Sequence, residues 1–185
     1  MKVNLILVTA VAIVAVVALA LYFGAPRQMQ SQQTADTDTH AAPEEQSGPP
    51  PEVVWRAAQD AFLNHNREQP GWSESPEGLQ YHVDTEASGD SPKPAPGSRV
   101  TVHYEGRLID GRVFDSSYMR GEPATFPLSG VIEGWQIGVP MMRKGETWTF
   151  AIPASLAYGE ANAGPIPPGS TLIFKVELLE VETPA

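Results

Sequence analysis

Cysteine is absent from the 185 residues. That excludes disulfides, thiol nucleophiles and thiolate metal centres, and it fits any redox compartment. Histidine is scarce, and His40, His65, His82 and His103 show no metal-ligand spacing. No Gly-x-Ser-x-Gly elbow and no Walker glycine loop occurs, so neither of those routes to acyl or phosphoryl transfer is open. Basic residues are outnumbered, with Lys+Arg 12 against Asp+Glu 22 and a formal charge of −10. Most of the excess acid lies between residues 27 and 96. Without a basic stripe, nucleic-acid binding is not expected.

What is abundant is proline and glycine, 18 and 16 residues. Their distribution divides the chain. Val3 to Ala25 is apolar apart from Asn4 and Thr9. It is long enough to cross a bilayer as a helix, which takes about 20 residues. Ala18-Leu19-Ala20 resembles a cleavage site, but Leu21-Tyr22-Phe23 continues the apolar run. An uncleaved anchor (residues 1–26) is therefore favoured over a removed signal peptide. Lys2 before the span and acids after Arg27 place the N-terminus in the cytoplasm and the rest outside. Residues 27–51 are Gln/Thr/Asp/Pro-rich and predict a disordered acidic linker. Residues 52–69 predict a short amphipathic helix, ending near Asn66, with Trp55, Ala58, Phe62 and His65 on one face. Such a helix needs something to pack on: the following domain or a second subunit.

From Gly78 the period changes. Leu79, Tyr81 and Val83 alternate with polar residues, as do Val100, Val102 and Tyr104 in a run to about Leu108. Asp110-Gly111 is a turn signal, and Arg112 to Asp115 reads as the returning strand. Thr147 to Ile152 and Thr171 to Val181 predict further strands, and Gly134 to Val139 a helix limited by Pro140. Four or five antiparallel strands around one short helix predict an α+β domain.

Aromatic residues gather where chemistry is otherwise missing. Trp135 follows Gly134 at the start of the short helix. Tyr158 lies in a loop, and Gly164-Pro165-Ile166-Pro167-Pro168-Gly169 is a stiff apolar segment suited to walling a groove. Asp115 is the carboxylate nearest these aromatics in sequence, with no His or Lys partner for acid–base work. His103, on a strand, reads as a structural or surface residue. Aromatics are also ordinary core residues; here they point to a reaction that breaks no covalent bond, such as rotation about a peptide bond.

At these residues the chain resembles the FKBP-type peptidyl-prolyl cis-trans isomerases. The resemblance is carried by Val100-Thr-Val-His-Tyr104-Glu-Gly106, Asp110-Gly-Arg-Val-Phe114-Asp-Ser-Ser117, Val131-Ile-Glu-Gly-Trp135, Leu156-Ala-Tyr158-Gly159 and Ile166-Pro-Pro168 through Leu172-Ile-Phe174. These occur in the family's order over roughly residues 78–183. Phe62-Leu63-x-x-Asn66 with Gly78-Leu79-Gln80-Tyr81 further resembles the exported bacterial branch related to the macrophage infectivity potentiator.

The resemblance implies a twisted antiparallel sheet wrapped around one short α-helix, within a domain at residues 76–183. Trp135 would be the pocket floor. Tyr104, Phe114 and Phe174 would form its walls beside Val131, Ile132 and Ile166. The Tyr158 hydroxyl and the Ile132 amide would hold substrate carbonyls, and Asp115 would sit at the rim, held by Tyr104 or Arg120. It also implies no cofactor and no metal. The implied partners are proline-containing unfolded or exported polypeptides, macrolide inhibitors of the rapamycin type, and the membrane through the N-terminal segment. The implied location is the bacterial inner membrane, with the isomerase domain in the periplasm. Ala124, where many relatives have an aromatic wall, Gly130, where some have an acid, and the short Asn162-Ala163 loop depart from the family pattern. A binding module or chaperone without turnover and a purely structural anchor are the rival readings.

Overall fold

The computed structural model describes residues 51–182. The predicted anchor and all of the predicted linker but Pro51 lie outside them. Among the described residues no helix is long and apolar enough to cross a membrane.

The chain enters through α1 (Pro51–Arg67). Proline is tolerated at a first helical position because its missing N–H would have no partner there. The face that packs differs in part from the predicted one. Ala58 is exposed rather than packed, His65 is exposed as its place at the helix end predicts, and the buried positions are Gln59 and Asn66, flanked by Trp55, Phe62 and Leu63. The reason is polar pairing. Asn66 Nδ2 donates to Gln80 Oε1 at 2.8 Å, and the Gln59 side-chain oxygen accepts the Thr171 N–H at 2.9 Å. The helix therefore lies on the domain that follows it, through amides that a hydrophobic pattern does not register.

Seven strands form one antiparallel sheet rather than the four or five predicted. They are β1 (Trp72–Glu74), β2 (Gln80–Thr85), β3 (Arg99–Leu108), β4 (Val113–Ser116), β5 (Ala124–Pro127), β6 (Thr147–Ile152) and β7 (Leu172–Glu182). The order is β1-β2-β6-β7-β3-β4, with β5 also on β3. The two unpredicted strands, β1 and β5, are short and bounded by prolines, too brief for alternation to show. Between β3 and β4, Gly111 takes φ 87°, the left-handed value that this turn requires and glycine adopts without a steric penalty.

Strand β3 organises the sheet. One edge runs along β7, from Arg99↔Glu182 to Leu108↔Leu172. The other edge is shared: β5 takes Arg99 to Val102 and β4 takes Glu105 to Arg107. Side chains alternate across a strand, so Val100, Val102, Tyr104 and Leu108 face inward and are buried, while Arg99, Thr101, His103, Glu105 and Arg107 face out. Phe150, Ile152, Leu172, Phe174, Val176 and Leu178 complete the inward surface from β6 and β7.

Two further helices sit between strands: α2 (Ser117–Arg120) and α3 (Glu133–Gly138). The first is capped by the Ser116 hydroxyl, which accepts the Met119 N–H. The second lies across the inward face of the sheet. An added Cβ at Gly134 would come within 2.5 Å of Ile152, and one at Gly138 within 2.6 Å of Phe150. Glycine at both positions lets the helix backbone approach the sheet closely, and this places Trp135 in the core at 4% exposure.

Candidate active site

A pocket of about 650 Å³ opens between α3 and the sheet. It is lined by Tyr104, Phe114, Asp115, Val131, Ile132, Trp135, Tyr158, Ile166 and Phe174, the nine residues assigned to a pocket from the sequence. Phe126, Gly130, Ala157 and Pro165 also line it. Phe126 was missed because β5 was missed. Its side chain and that of Ala124 both turn toward the core, but four residues are too few for that alternation to stand out in the sequence. His103 lies outside the pocket: its ring stacks on Tyr118 at 4.6 Å on the outward face, and its Nδ1 meets the Ser117 hydroxyl at 2.9 Å.

The indole of Trp135 is held by three rings nearly perpendicular to it: Tyr104 at 5.4 Å and 87°, Phe126 at 5.9 Å and 89°, and Phe174 at 5.3 Å and 82°. Phe114 stands edge-on to Phe174 at 5.4 Å and 84°. Edge-to-face pairs are favoured by the ring quadrupole and contribute about 0.5–1.5 kcal/mol each, so the set braces itself. Trp135 is the floor around which the other rings stand, and its Nε1 has no partner among the described residues.

Polar groups are few. Asp115 is tied at both oxygens: the Tyr104 hydroxyl donates to Oδ2 and Arg120 Nη1 to Oδ1. Arg120 Nη2 also donates to the Tyr104 hydroxyl at 2.9 Å, and the guanidinium carbon stands 5.4 Å from that ring's centre. Both partners foreseen for Asp115 are thus present at once. Partial burial pushes the Asp115 carboxyl up, but the bonds from Tyr104 and Arg120 outweigh it, and the net displacement is below the ordinary carboxylate value. Burial, reinforced by the Asp115 contact, pushes the Tyr104 phenol up. Asp115 is therefore an anion and Tyr104 neutral at pH 7, and both are engaged with each other rather than with the pocket interior.

A pH dependence follows. A depressed carboxyl stabilises the native state above its unfolded value, about 3.9, and that contribution is lost as pH falls through the lower native value. The carboxylate is 43% exposed, so solvent screening limits the triad's contribution to at most about 1 kcal/mol. Thermal melts of Asp115→Asn and the unchanged chain should differ at pH 7 and draw together progressively as pH falls below about 4. A gap at pH 2 as wide as that at pH 7 would show that the carboxylate charge is not what is lost.

The remaining polar groups lie at the mouth. The Ile132 amide donates to no acceptor among the described residues. Tyr158 is 43% exposed in the turn after Leu156. The short Asn162-Ala163 stretch folds back tightly, with Ala163 and Ile166 exchanging backbone bonds at 3.2 Å, and presents Ile166 to the pocket at 4% exposure. Among the described residues no cluster of His, Asp or Glu is arranged to hold a metal.

Comparison with known proteins agrees with this geometry. The family model described as FKBP-type peptidyl-prolyl cis-trans isomerase matches residues 90–179. The peptidyl-prolyl cis-trans isomerase Mip of Coxiella burnetii is 51% identical over 123 residues, 66% of this chain and 53% of that protein. The outer membrane protein MIP of Legionella longbeachae is 47% identical over 131 residues, 70% of this chain and 55% of that protein. The chain spans about half the length of these curated relatives. The crystal structure of a peptidyl-prolyl cis-trans isomerase from Pseudomonas syringae pv. tomato superposes with a TM-score of 0.65 at 35% identity, covering 74% of this chain and 99% of that one. The rings around one indole, the order of the motifs that supply them and these relatives agree, and the chain belongs to the FKBP-type peptidyl-prolyl cis-trans isomerase family.

Proposed function

We propose that this chain accelerates cis–trans rotation of X-Pro bonds in unfolded or exported polypeptides, by desolvation in the aromatic pocket and without covalent catalysis. The observation that carries the reading is the pocket itself: an indole floor, aromatic walls, and one carboxylate already neutralised by Tyr104 and Arg120. Peptide rotation has a barrier of about 18–20 kcal/mol because resonance gives the C–N bond double-bond character. Resonance also separates charge, so the planar amide is the more polar form. An apolar pocket stabilises it less than water does and favours the twisted state. With the proline ring against Trp135, the Tyr158 hydroxyl and the Ile132 amide hold the flanking carbonyls and order the rotation. Removing about 4–6 kcal/mol of the barrier gives roughly 10³–10⁴-fold acceleration. No proton is transferred, and macrolides of the rapamycin type compete for the same cavity.

The reading extends to the whole chain: an anchor or signal segment at residues 1–26, an acidic linker at 27–51, the short helix at 52–69 and the isomerase domain at 76–183. The apolar run from Val3 to Ala25 and the name of the Legionella relative, outer membrane protein, support a membrane-associated, exported protein. Within that reading the chain is a single-pass inner-membrane protein with its isomerase domain in the periplasm, or a periplasmic one if the N-terminal segment is removed.

The test is cis–trans exchange of a proline tetrapeptide in the presence of the 185-residue chain, with and without rapamycin. Acceleration abolished by the macrolide is the expected result. Exchange at the uncatalysed rate by folded protein, alongside suppression of aggregation of a proline-free client, would replace this reading with that of a binding module.

A further inference from the structure

We propose that Arg56 and Gln59 are positioning residues, through which α1 holds the segment 157–171 in the shape that closes the pocket. The segment is a loop clasped at its neck. The Gly159 N–H donates to Ala154 O and the Gly169 N–H to Gly159 O, each at 2.8 Å. Its front presents Tyr158, Pro165 and Ile166 to the pocket. Its back meets α1 at both legs. Arg56 Nη1 and Nη2 donate in parallel to the two carboxylate oxygens of Glu160, at 2.7 and 2.5 Å. On the other leg, Gln59 Oε1 accepts the Thr171 N–H at 2.9 Å, with Gln59 at 4% and Thr171 at 1% exposure.

The two contacts divide the work. A buried N–H without an acceptor is costly, so Gln59 fixes the second leg at the start of β7. The two-point fork of Arg56 on Glu160 constrains orientation as well as distance, and Glu160 is only two residues from Tyr158. A groove of about 280 Å³ behind the loop, lined by Arg56, Gln59, Leu63, Ala154, Glu160 and Thr171 among others, leaves the loop room to recede if the fork opens. No residue of α1 lines the pocket, and its polar grip reaches the pocket through the loop. The Arg56–Glu160 pair is half exposed, at 54% and 62%. Its grip therefore weakens with salt, as the Debye length falls from about 8 Å at 0.15 M to about 3 Å at 1 M.

This proposal rests on the isomerase reading for its kinetic readout alone. The test compares the 185-residue chain with Arg56→Met, Arg56→Glu, and Arg56→Glu combined with Glu160→Arg. Arg56→Met should raise KM for a proline tetrapeptide about two- to fivefold, the range for an exposed pair. Its kcat should fall by less than KM rises, because Tyr158 is displaced rather than removed and holds the carbonyl in the ground state as well as during rotation. Arg56→Glu should do worse, and the double exchange should restore KM. Amide hydrogen exchange should speed up in residues 158–169 of Arg56→Met and stay unchanged in β3 and β7. Unchanged exchange in the loop, faster exchange with unchanged KM, or a double exchange that fails to restore KM would each overturn the proposal. If the unsubstituted chain shows no isomerase activity, the isomerase reading fails, and the exchange experiment by itself decides whether α1 holds the loop.

Discussion

Trp135→Leu is expected to lower kcat/KM on a proline tetrapeptide by about 10- to 100-fold, equivalent to about 1.4–2.8 kcal/mol of lost transition-state stabilisation. His103→Ala should leave it unchanged. The contrast separates the two faces of β3 and its neighbours. Trp135 is buried beneath the pocket with three rings edge-on to it, whereas His103 stacks on Tyr118 on the outward face. Leucine keeps the site apolar but removes the flat surface proposed to seat a proline ring, and it lets the braced rings shift. Alanine is the harsher change, because emptying a Trp site costs about 3–5 kcal/mol of stability. Phe114→Ala removes a wall that is only half buried, so it should cost activity with little loss of fold. Thermal unfolding of each variant identifies the folded ones, and the kinetic comparison is made among those. Equal losses in folded Trp135→Leu and His103→Ala would rule out the pocket as the seat of rotation.

Gly106→Ala is expected to cost at least as much activity by a different route. Gly106 faces Asp115 across β4 and Phe174 across β7. An added Cβ would stand 2.6 Å from the Phe114 ring and 2.7 Å from the Phe174 ring. Both are pocket walls, and both must move. Overpacking of this kind costs about 1–3 kcal/mol of stability. The loss of activity should be larger than that of a single wall, because Phe174 also braces Trp135. Loss of kcat/KM together with weakened rapamycin binding in a folded variant is the expected pattern, checked by kinetics and calorimetry. Unchanged rapamycin affinity would show that the walls adapt without consequence.

The parts of the fold readable in advance were those long enough to show a period. In β3, Val100, Val102 and Tyr104 alternate with Thr101, His103 and Glu105, and the side of each residue was legible before the sheet was built. Strands β6 and β7 and the helix carrying Trp135 were legible for the same reason and from the proline and glycine around them. Strands β1 and β5 were not: Trp72–Glu74 and Ala124–Pro127 are strands because a longer neighbour offers them an edge. With β5 came Phe126, a wall of the pocket. The packed face of α1 was legible at Trp55 and Phe62 but not at its two buried residues, which are amides. Gln59 and Asn66 can be inside only because the Thr171 N–H and Gln80 wait there to pair with them.

By itself the sequence determined the chemistry this protein does not use and the set of rings it has to offer. Residue identity and short-range order decide both. The closing of those rings on one indole, the tying of Asp115 at both oxygens, and the meeting of α1 with the back of the Tyr158 loop were decided by tertiary structure. They join residues far apart in the chain, such as Arg56 and Glu160, separated by 104 positions. Contacts of that kind depend on the shape left between packed elements, which no local pattern encodes.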